Sequence, residues 1–187
     1  MQLKDFIPFV SKKYSNIFFS GIAFDSSKVK KNDIFFAIKG NKFDGNNFID
    51  IAIKKGAKVI VTEKKINKKK ENTVFLYSSN VRKLLANVAF KILDNKPKKL
   101  VAVTGTNGKS SIADFYYQIL KLNYKKVASI GTIGIRHNNK KKSLGNTTLD
   151  PIKLCSIIKD LKKKKTEYII MEASSKILKK KKLNILI

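Results

Sequence analysis

The sequence predicts an α/β fold in two units: a small N-terminal α/β unit, then a parallel-sheet unit built around a phosphate-loop-like turn. Three observations carry this. Strand-like and helix-like hydrophobic periods alternate along the chain. The breaker Asp94-Asn95-Lys96-Pro97 interrupts the pattern and marks a boundary between residues 1–97 and 98–187. Beyond it, the short apolar stretch Leu100-Val101-Ala102-Val103-Thr104 runs straight into a glycine-containing loop and then a helical period.

In the first unit, Asp33-Ile34-Phe35-Phe36-Ala37-Ile38 reads as a buried strand ending at Gly40. Phe48, Ile51, Ala52 and Lys55 follow at helical spacing, with Gly56 where a C-terminal cap belongs. Lys58–Thr62 and Thr73–Tyr77 are two further strands. Val81, Leu84, Leu85, Val88, Ala89, Ile92 and Leu93 form the clearest helical stripe of the chain. In the second unit, a helix carries Ile112, Tyr116, Ile119 and Leu120 on one face, and Lys126–Ile130 is the next strand. Arg136-His137-Asn138-Asn139-Lys140 reads as a hairpin tip, where His137 has no expected function. Pro151 starts a helix with Ile152, Cys155, Ile158 and Leu161 inward, so Cys155 is a packing residue. Tyr168–Met171 is a strand. Leu183–Ile187 reads as a core strand that stops without a turn or polar tail, so the chain is expected to be cut short.

Composition narrows the function classes. Apolar residues make up 43% of the 187, enough for a packed core. No apolar run approaches the roughly 20 residues of a membrane-spanning helix. The N-terminus lacks a basic region followed by an apolar stretch, so a cytoplasmic protein is expected. One cysteine and one histidine, Cys155 and His137, argue against a disulfide framework and a histidine metal site. The 41 basic residues against 13 acidic ones give a net charge of +28, yet only Arg82 and Arg136 are arginines. Base readout and planar phosphate clamps favour arginine. The lysines fall in bare runs at 68–70, 140–142, 162–165 and 179–182 without interleaved aromatics, so a solvated surface is expected rather than a specific nucleic-acid site.

The chemistry concentrates in Thr104-Gly105-Thr106-Asn107-Gly108-Lys109-Ser110-Ser111. Gly105 and Gly108 let backbone N–H groups of the loop approach phosphates at a helix N-terminus. Lys109 would reach the phosphates and the Ser110 hydroxyl would ligate Mg²⁺. The general G-x-x-x-x-G-K-[ST] pattern is not met literally, because Val103 stands at its first glycine.

That variant loop resembles the ATP loop of the Mur ligases. Asp25-Ser26-Ser27, Val29 through Ala37, and Gly40 through Phe48 are similar to the N-terminal pattern shared by the MurE-type and MurF-type ligases. Gly131-Thr132-Ile133-Gly134, then Asn146-Thr147-Thr148-Leu149-Asp150-Pro151, then Met171-Glu172-Ala173-Ser174-Ser175, resemble the MurE-type elements. The resemblance implies a uridine-nucleotide-binding unit over 1–97 and the first half of a central ATPase unit over 98–187. It also implies ATP and Mg²⁺ as cofactors and a place in peptidoglycan synthesis. The implied substrates are UDP-MurNAc-L-Ala-D-Glu and an amino acid, meso-diaminopimelate being preferred to L-Lys on pathway frequency alone. The implied reaction phosphorylates the D-Glu carboxylate and lets an amine attack the acyl phosphate.

Residue by residue, the resemblance makes Lys109 and Glu172 catalytic and gives ATP to residues 105–111. Ser110 and Glu172 would share Mg²⁺, Glu172 lying at a strand end where α/β sheets hold ligands; an exposed strand-end carboxylate is the plainer alternative. Asn146, Thr147, Thr148 and Ser174 would contact the muramoyl peptide, though Thr and Asp before Pro151 also suit a helix cap, and both can hold. Phe24, Ser26, Asn41, Lys42 and Phe43 would grip the uridine nucleotide, where a plain β-turn has the same composition. Several positions depart from the pattern. Ser27 replaces an Arg, Asn32 a Gly, Asn46 a His, and Lys176 a His. Lys180 and Lys182, expected on the substrate, keep positive charge but lose bidentate geometry. A chain of this length has no room for the family's later metal-ligand, adenine-binding and amino-acid-selecting segments and is expected to be inactive and monomeric, as a fragment, a truncated gene product or an incomplete gene model. A MurF-type ligase, or a basic P-loop module that binds nucleic acid, is the alternative. The latter would keep affinity for DNA or RNA at physiological salt, whereas the ligase reading predicts weak, sequence-blind binding that salt abolishes, measurable by a salt titration.

Overall fold

The computed structural model describes residues 1–40, 43–66, 72–93, 97–132, 134–138, 140–144 and 150–173. The chain forms two compact units, residues 1–91 and 92–187, the division falling inside the last turn of a helix just ahead of the breaker at 94–97. The expected strand at 183–187 lies outside the described residues.

The first unit is a sheet of four parallel strands in sequential order: β1 (Ile22–Ala23), β2 (Ile34–Phe36), β3 (Val59–Thr62) and β4 (Val74–Tyr77). Strand β1 and the short helix α1 (Leu3–Phe6) have no signal in the sequence, being too brief to show a period. Strand β2 is shorter than the apolar run 33–38. Buried Asp33 leaves the ladder to accept from Lys30 N at 2.9 Å, and Lys39 pairs with Asp44 in an isolated bridge. Helix α2 (Ile49–Lys54) buries Ile49 and Ala52 against Phe35 and Ile60. Helix α3 (Val81–Leu93) begins where Asn80 Oδ1 accepts from Lys83 N at 2.8 Å. Because all four strands run the same way, the segments that follow β1, β2 and β3 emerge at one edge of the sheet.

In the second unit the order is β5 (Lys99–Thr104), β9 (Tyr168–Ala173), β6 (Val127–Gly131), β7 (Gly134–His137), β8 (Lys140–Lys142). Strands β5, β9 and β6 are parallel, but β6, β7 and β8 are antiparallel, so the expected parallel sheet is mixed. The reason is connection length: the turn from Gly131 to Gly134 is far too short for the crossover a parallel pair needs. Strand β8 is an outer strand of three exposed lysines, an arrangement that disfavours pairing with another chain. Helix α5 (Pro151–Lys163) is capped by Asp150, whose Oδ1 accepts from Lys153 N at 2.8 Å, and it buries Leu154, Cys155, Ile158 and Leu161. Burial, with Asp150 nearby, pushes the Cys155 thiol up to about 12, which leaves it a protonated packing group.

Helix α4 (Lys109–Leu122) turns a different face inward from the one its spacing suggests. Ala113 and Tyr117 are buried against Val127 and Ile170, with Leu120 at their margin. Ile112 and Ile119 are each 57% exposed and Tyr116 40% exposed. At 3.6 residues per turn the apolar residues of α4 span more than half of its circumference, and only the edge of that arc carrying Ala113, Tyr117 and Leu120 meets the sheet. In the observed rotation Ser110, Ala113, Asp114 and Tyr117 share one stripe, which brings Ser110 to Glu172 at the sheet. No helix among the described residues is long and apolar enough to cross a membrane.

Tyr117 is the largest fully buried side chain of this unit, and the Arg136 guanidinium lies 4.5 Å from its ring centroid. Tyr117→Ala is expected to cost about 3–5 kcal/mol, read as a lowered urea midpoint by far-ultraviolet circular dichroism. His137 on β7 is held below its ordinary 6.5 by burial, then by the nearby Lys164 charge. Its neutral form is therefore favoured in the folded state. Stability is full above 6.5 and falls as the pH drops through the depressed folded value. Urea midpoints measured at about pH 7.5 and about pH 5.5 should differ more in the parent chain than in His137→Asn.

Candidate functional site

Strand β5 ends at Thr104, the loop Gly105–Gly108 is exposed, and α4 begins at Lys109. Gly108 makes this connection possible. It stands at the helix N-cap with φ of +74°, in the left-handed region, where a side chain would be strained although nothing lies within 4 Å of its Cβ position. The Gly108 carbonyl accepts from Ile112 N at 2.9 Å, so the helix is hydrogen-bonded from its first turn. The N–H groups of the first turn are the ones a helix leaves unpaired at this end, and they face an open, glycine-lined approach.

Lys109 folds back over the loop. Its Nζ donates to Gly105 O at 2.8 Å and Thr106 O at 2.9 Å. Those carbonyls hold the exposed ammonium at the loop. Thr106, Asn107 and Ser111 are exposed around it, and Ser110 is half-buried.

Glu172 comes from β9, in register with Val103 of β5. Its Oε2 accepts from Ser110 Oγ at 3.0 Å and from Thr132 Oγ1 at 3.1 Å, with Thr132 N at 3.4 Å. A serine hydroxyl and a carboxylate, both hard oxygen donors, thus touch beside the phosphate loop, a donor set that fits Mg²⁺. A small cavity of about 60 Å³ opens beside them, lined among others by Ser110, Asp114, Arg136, Lys141 and Glu172. Arg136 pairs with Asp114, which also accepts from Gln118. Sequence reading missed this pair. Its signals were that Arg136 is one of two arginines, and that Asp114 sits one turn after Ser110.

The structure therefore brings together Lys109, Ser110 and Glu172 with the loop. The uridine candidates fall in the first unit. Phe24 follows β1, and Asp25 accepts from Ser27 N at 2.9 Å and Ser27 Oγ at 2.8 Å, closing the turn that carries Ser26. Those two hydrogen bonds are the main cause of an Asp25 carboxyl held below its ordinary 3.8. Phe43 lies 72% exposed beyond β2, with its carbonyl accepting from Gly40 N at 2.8 Å. Arg82 Nη2 reaches Lys39 O at 2.8 Å and ties α3 to this loop. Asn46, where the pattern has His, accepts from Thr62 Oγ1 at 2.6 Å and donates to Asp44, joining the turn that precedes α2 to the end of β3. Asn41, Lys42, Asn146, Thr147, Thr148, Ser174, Lys180 and Lys182 lie outside the described residues.

Two family models match the chain: the Mur ligase family, catalytic domain, over residues 19–96 and the Mur ligase middle domain over 103–187. A UDP-N-acetylmuramoyl-L-alanyl-D-glutamate–2,6-diaminopimelate ligase of Rickettsia conorii is 40% identical over 159 residues, which cover 83% of this chain and 33% of that protein. A ligase of the same name from Zymomonas mobilis is 39% identical over 155 residues, covering 83% and 32%. A solved structure of a ligase so named has a TM-score of 0.83 at 25% identity, covering 98% of this chain and 38% of that one. A MurF ligase from Thermotoga maritima in complex with ADP has a TM-score of 0.53 at 25% identity, covering 82% and 32%. The chain spans about a third of the length of the curated relatives it matches.

Proposed function

This chain belongs to the Mur ligase family, and from that premise we propose that it carries the uridine-nucleotide and ATP-phosphate sites of a MurE-type ligase. The reaction is ATP-driven addition of diaminopimelate to UDP-MurNAc-L-Ala-D-Glu, by a cytoplasmic and monomeric protein. The observation that carries the reading is the Ser110–Glu172 contact at 3.0 Å beside the loop that holds Lys109. The MurE type is preferred to the MurF type because the structural likeness is closer, with a TM-score of 0.83 against 0.53.

Each residue has a physical task. Exposed N–H groups at the start of α4 and the Lys109 ammonium neutralise phosphate oxygens. Ser110 and Glu172 would hold Mg²⁺, which when bound screens the charge between the phosphates. Holding the phosphate next to a carboxylate supplies most of what acyl-phosphate formation needs, since such chemistry is positioning plus charge neutralisation. In the first unit, the Phe43 ring and the Phe24–Ser26 step offer an aromatic face and a hydroxyl at one sheet edge for the uridine nucleotide.

Isothermal titration of the full 187-residue chain with ADP and Mg²⁺ tests the phosphate site. Saturable binding is expected, weakened about 100-fold or more in Lys109→Met, by the loss of a charged hydrogen-bonding partner. Titration with UDP-MurNAc-L-Ala-D-Glu tests the first unit. Heat from the parent chain that falls in Phe43→Ala supports the uridine assignment; no heat from a well-folded sample would sink it.

A further inference from the structure

The segment Gly131-Thr132-Ile133-Gly134 marks the family resemblance but has no task in the phosphate chemistry described so far. Its position gives it one. Gly131 closes β6, next to β9 in the sheet, and Thr132 begins the turn to β7. Both lie against Glu172.

Two observations converge on that carboxylate. Thr132 Oγ1 donates to Glu172 Oε2 at 3.1 Å, with Thr132 N behind it at 3.4 Å, so one residue holds the oxygen that Ser110 also contacts. The second is steric. A Cβ on Gly131 would overlap Glu172 Oε1 and Cδ and stand 2.9 Å from Cγ. The carboxylate therefore occupies the space left by the missing side chain. A glutamate has three side-chain torsions, and their freedom must be removed before its oxygen can serve as a fixed ligand. Ser110 cannot remove it alone, because its hydroxyl is itself free to rotate.

We propose that Gly131 and Thr132 are positioning residues that clamp Glu172 in its metal-ligating orientation: Gly131 by leaving room for the carboxylate and Thr132 by hydrogen-bonding Oε2. The proposal rests on the reading of Glu172 as a Mg²⁺ ligand. It assigns Thr132 no contact with nucleotide or metal. Its signature is therefore in the metal dependence of nucleotide binding, with metal-free binding as the internal reference.

The test is titration of ADP into the full chain with and without Mg²⁺, for the parent, Thr132→Val, Thr132→Ser, Gly131→Ala and Glu172→Gln. The parent should bind ADP more tightly with Mg²⁺. Thr132→Val, similar in shape but without the hydroxyl, should lose about tenfold of that enhancement, the worth of a hydrogen bond to a charged group. Thr132→Ser should recover it to within about twofold of the parent, because the donor is restored. Gly131→Ala should lose the enhancement more completely. Circular dichroism establishes that each variant is folded, and Thr132→Ala takes the place of Thr132→Val if the latter is not. Electron paramagnetic resonance of Mn²⁺ with ADP gives a second readout, an increase in free Mn²⁺ in the same order of variants. The two readings fail differently. Full Mg²⁺ enhancement in Glu172→Gln would refute the metal role of Glu172 itself. Loss in Glu172→Gln with full enhancement in folded Thr132→Val and Gly131→Ala would overturn the clamp alone.

Discussion

The contact between Ser110 and Glu172 ties the helix that follows the loop to the strand lying between β5 and β6. It joins the first turn of α4 to the carboxyl end of β9, and it is made in the same rotation of the helix that buries Tyr117. With Ser110 facing the sheet, Ala113 and Tyr117 follow on the same stripe and bury against Val127 and Ile170. Packing and chemistry are thus one decision. The rotation that buries Ala113 and Tyr117 is also the one that places the hydroxyl and the carboxylate together.

A second layer locks the same rotation from the other side. Asp114, one turn beyond Ser110, pairs with Arg136 of β7, whose guanidinium lies over the Tyr117 ring. Arg136 is half-buried, so its charge is best held by a carboxylate and an aromatic face together. The antiparallel excursion through β7 thereby acquires a purpose. It brings an arginine across the sheet to the helix, and its first turn brings Thr132 to Glu172. A purely parallel crossover from Gly131 would have done neither.

Most elements were legible in the sequence because they are long enough to show a period. The stripe from Val81 to Leu93 is a helix throughout, and the strands near 59–62, 74–77 and 99–104 lie where their apolar runs indicate. Elements without a period were illegible: β1 is two residues long and α1 is four. The rotation of α4 was illegible for the opposite reason. Ile112, Phe115, Tyr116, Ile119 and Leu122 form an exposed apolar face on one side of the helix, so the hydrophobic pattern points away from the edge that is buried. The loop, Lys109, Ser110 and Glu172 were legible as a motif, and their proximity is a matter of topology that only the β5–β9 pairing supplies. The clamp on Glu172 was illegible, since it depends on a side chain that is missing at Gly131 and on a neighbouring strand.

Charge sorts the residues of this chain by constraint. Acids are scarce, 13 against 41 bases, and many of them make specific contacts. Asp25 and Asp44 accept the backbone N–H groups of short turns, and Asp150 caps α5. Asp33 ends the connection into β2, and Glu63 accepts from Val81 N at the start of α3. Asp114 holds Arg136 and Glu172 holds Ser110. Each of these positions needs an acceptor of fixed geometry, which a lysine cannot supply. Lys140 and Lys142 of β8, by contrast, are exposed on an outer strand, where a positive charge disfavours pairing with another chain. A surface free to change can accumulate lysine at little cost in stability, because isolated surface charges contribute little. The fold accommodates a net charge of +28 because its acids stand where an oxygen acceptor of fixed geometry is needed.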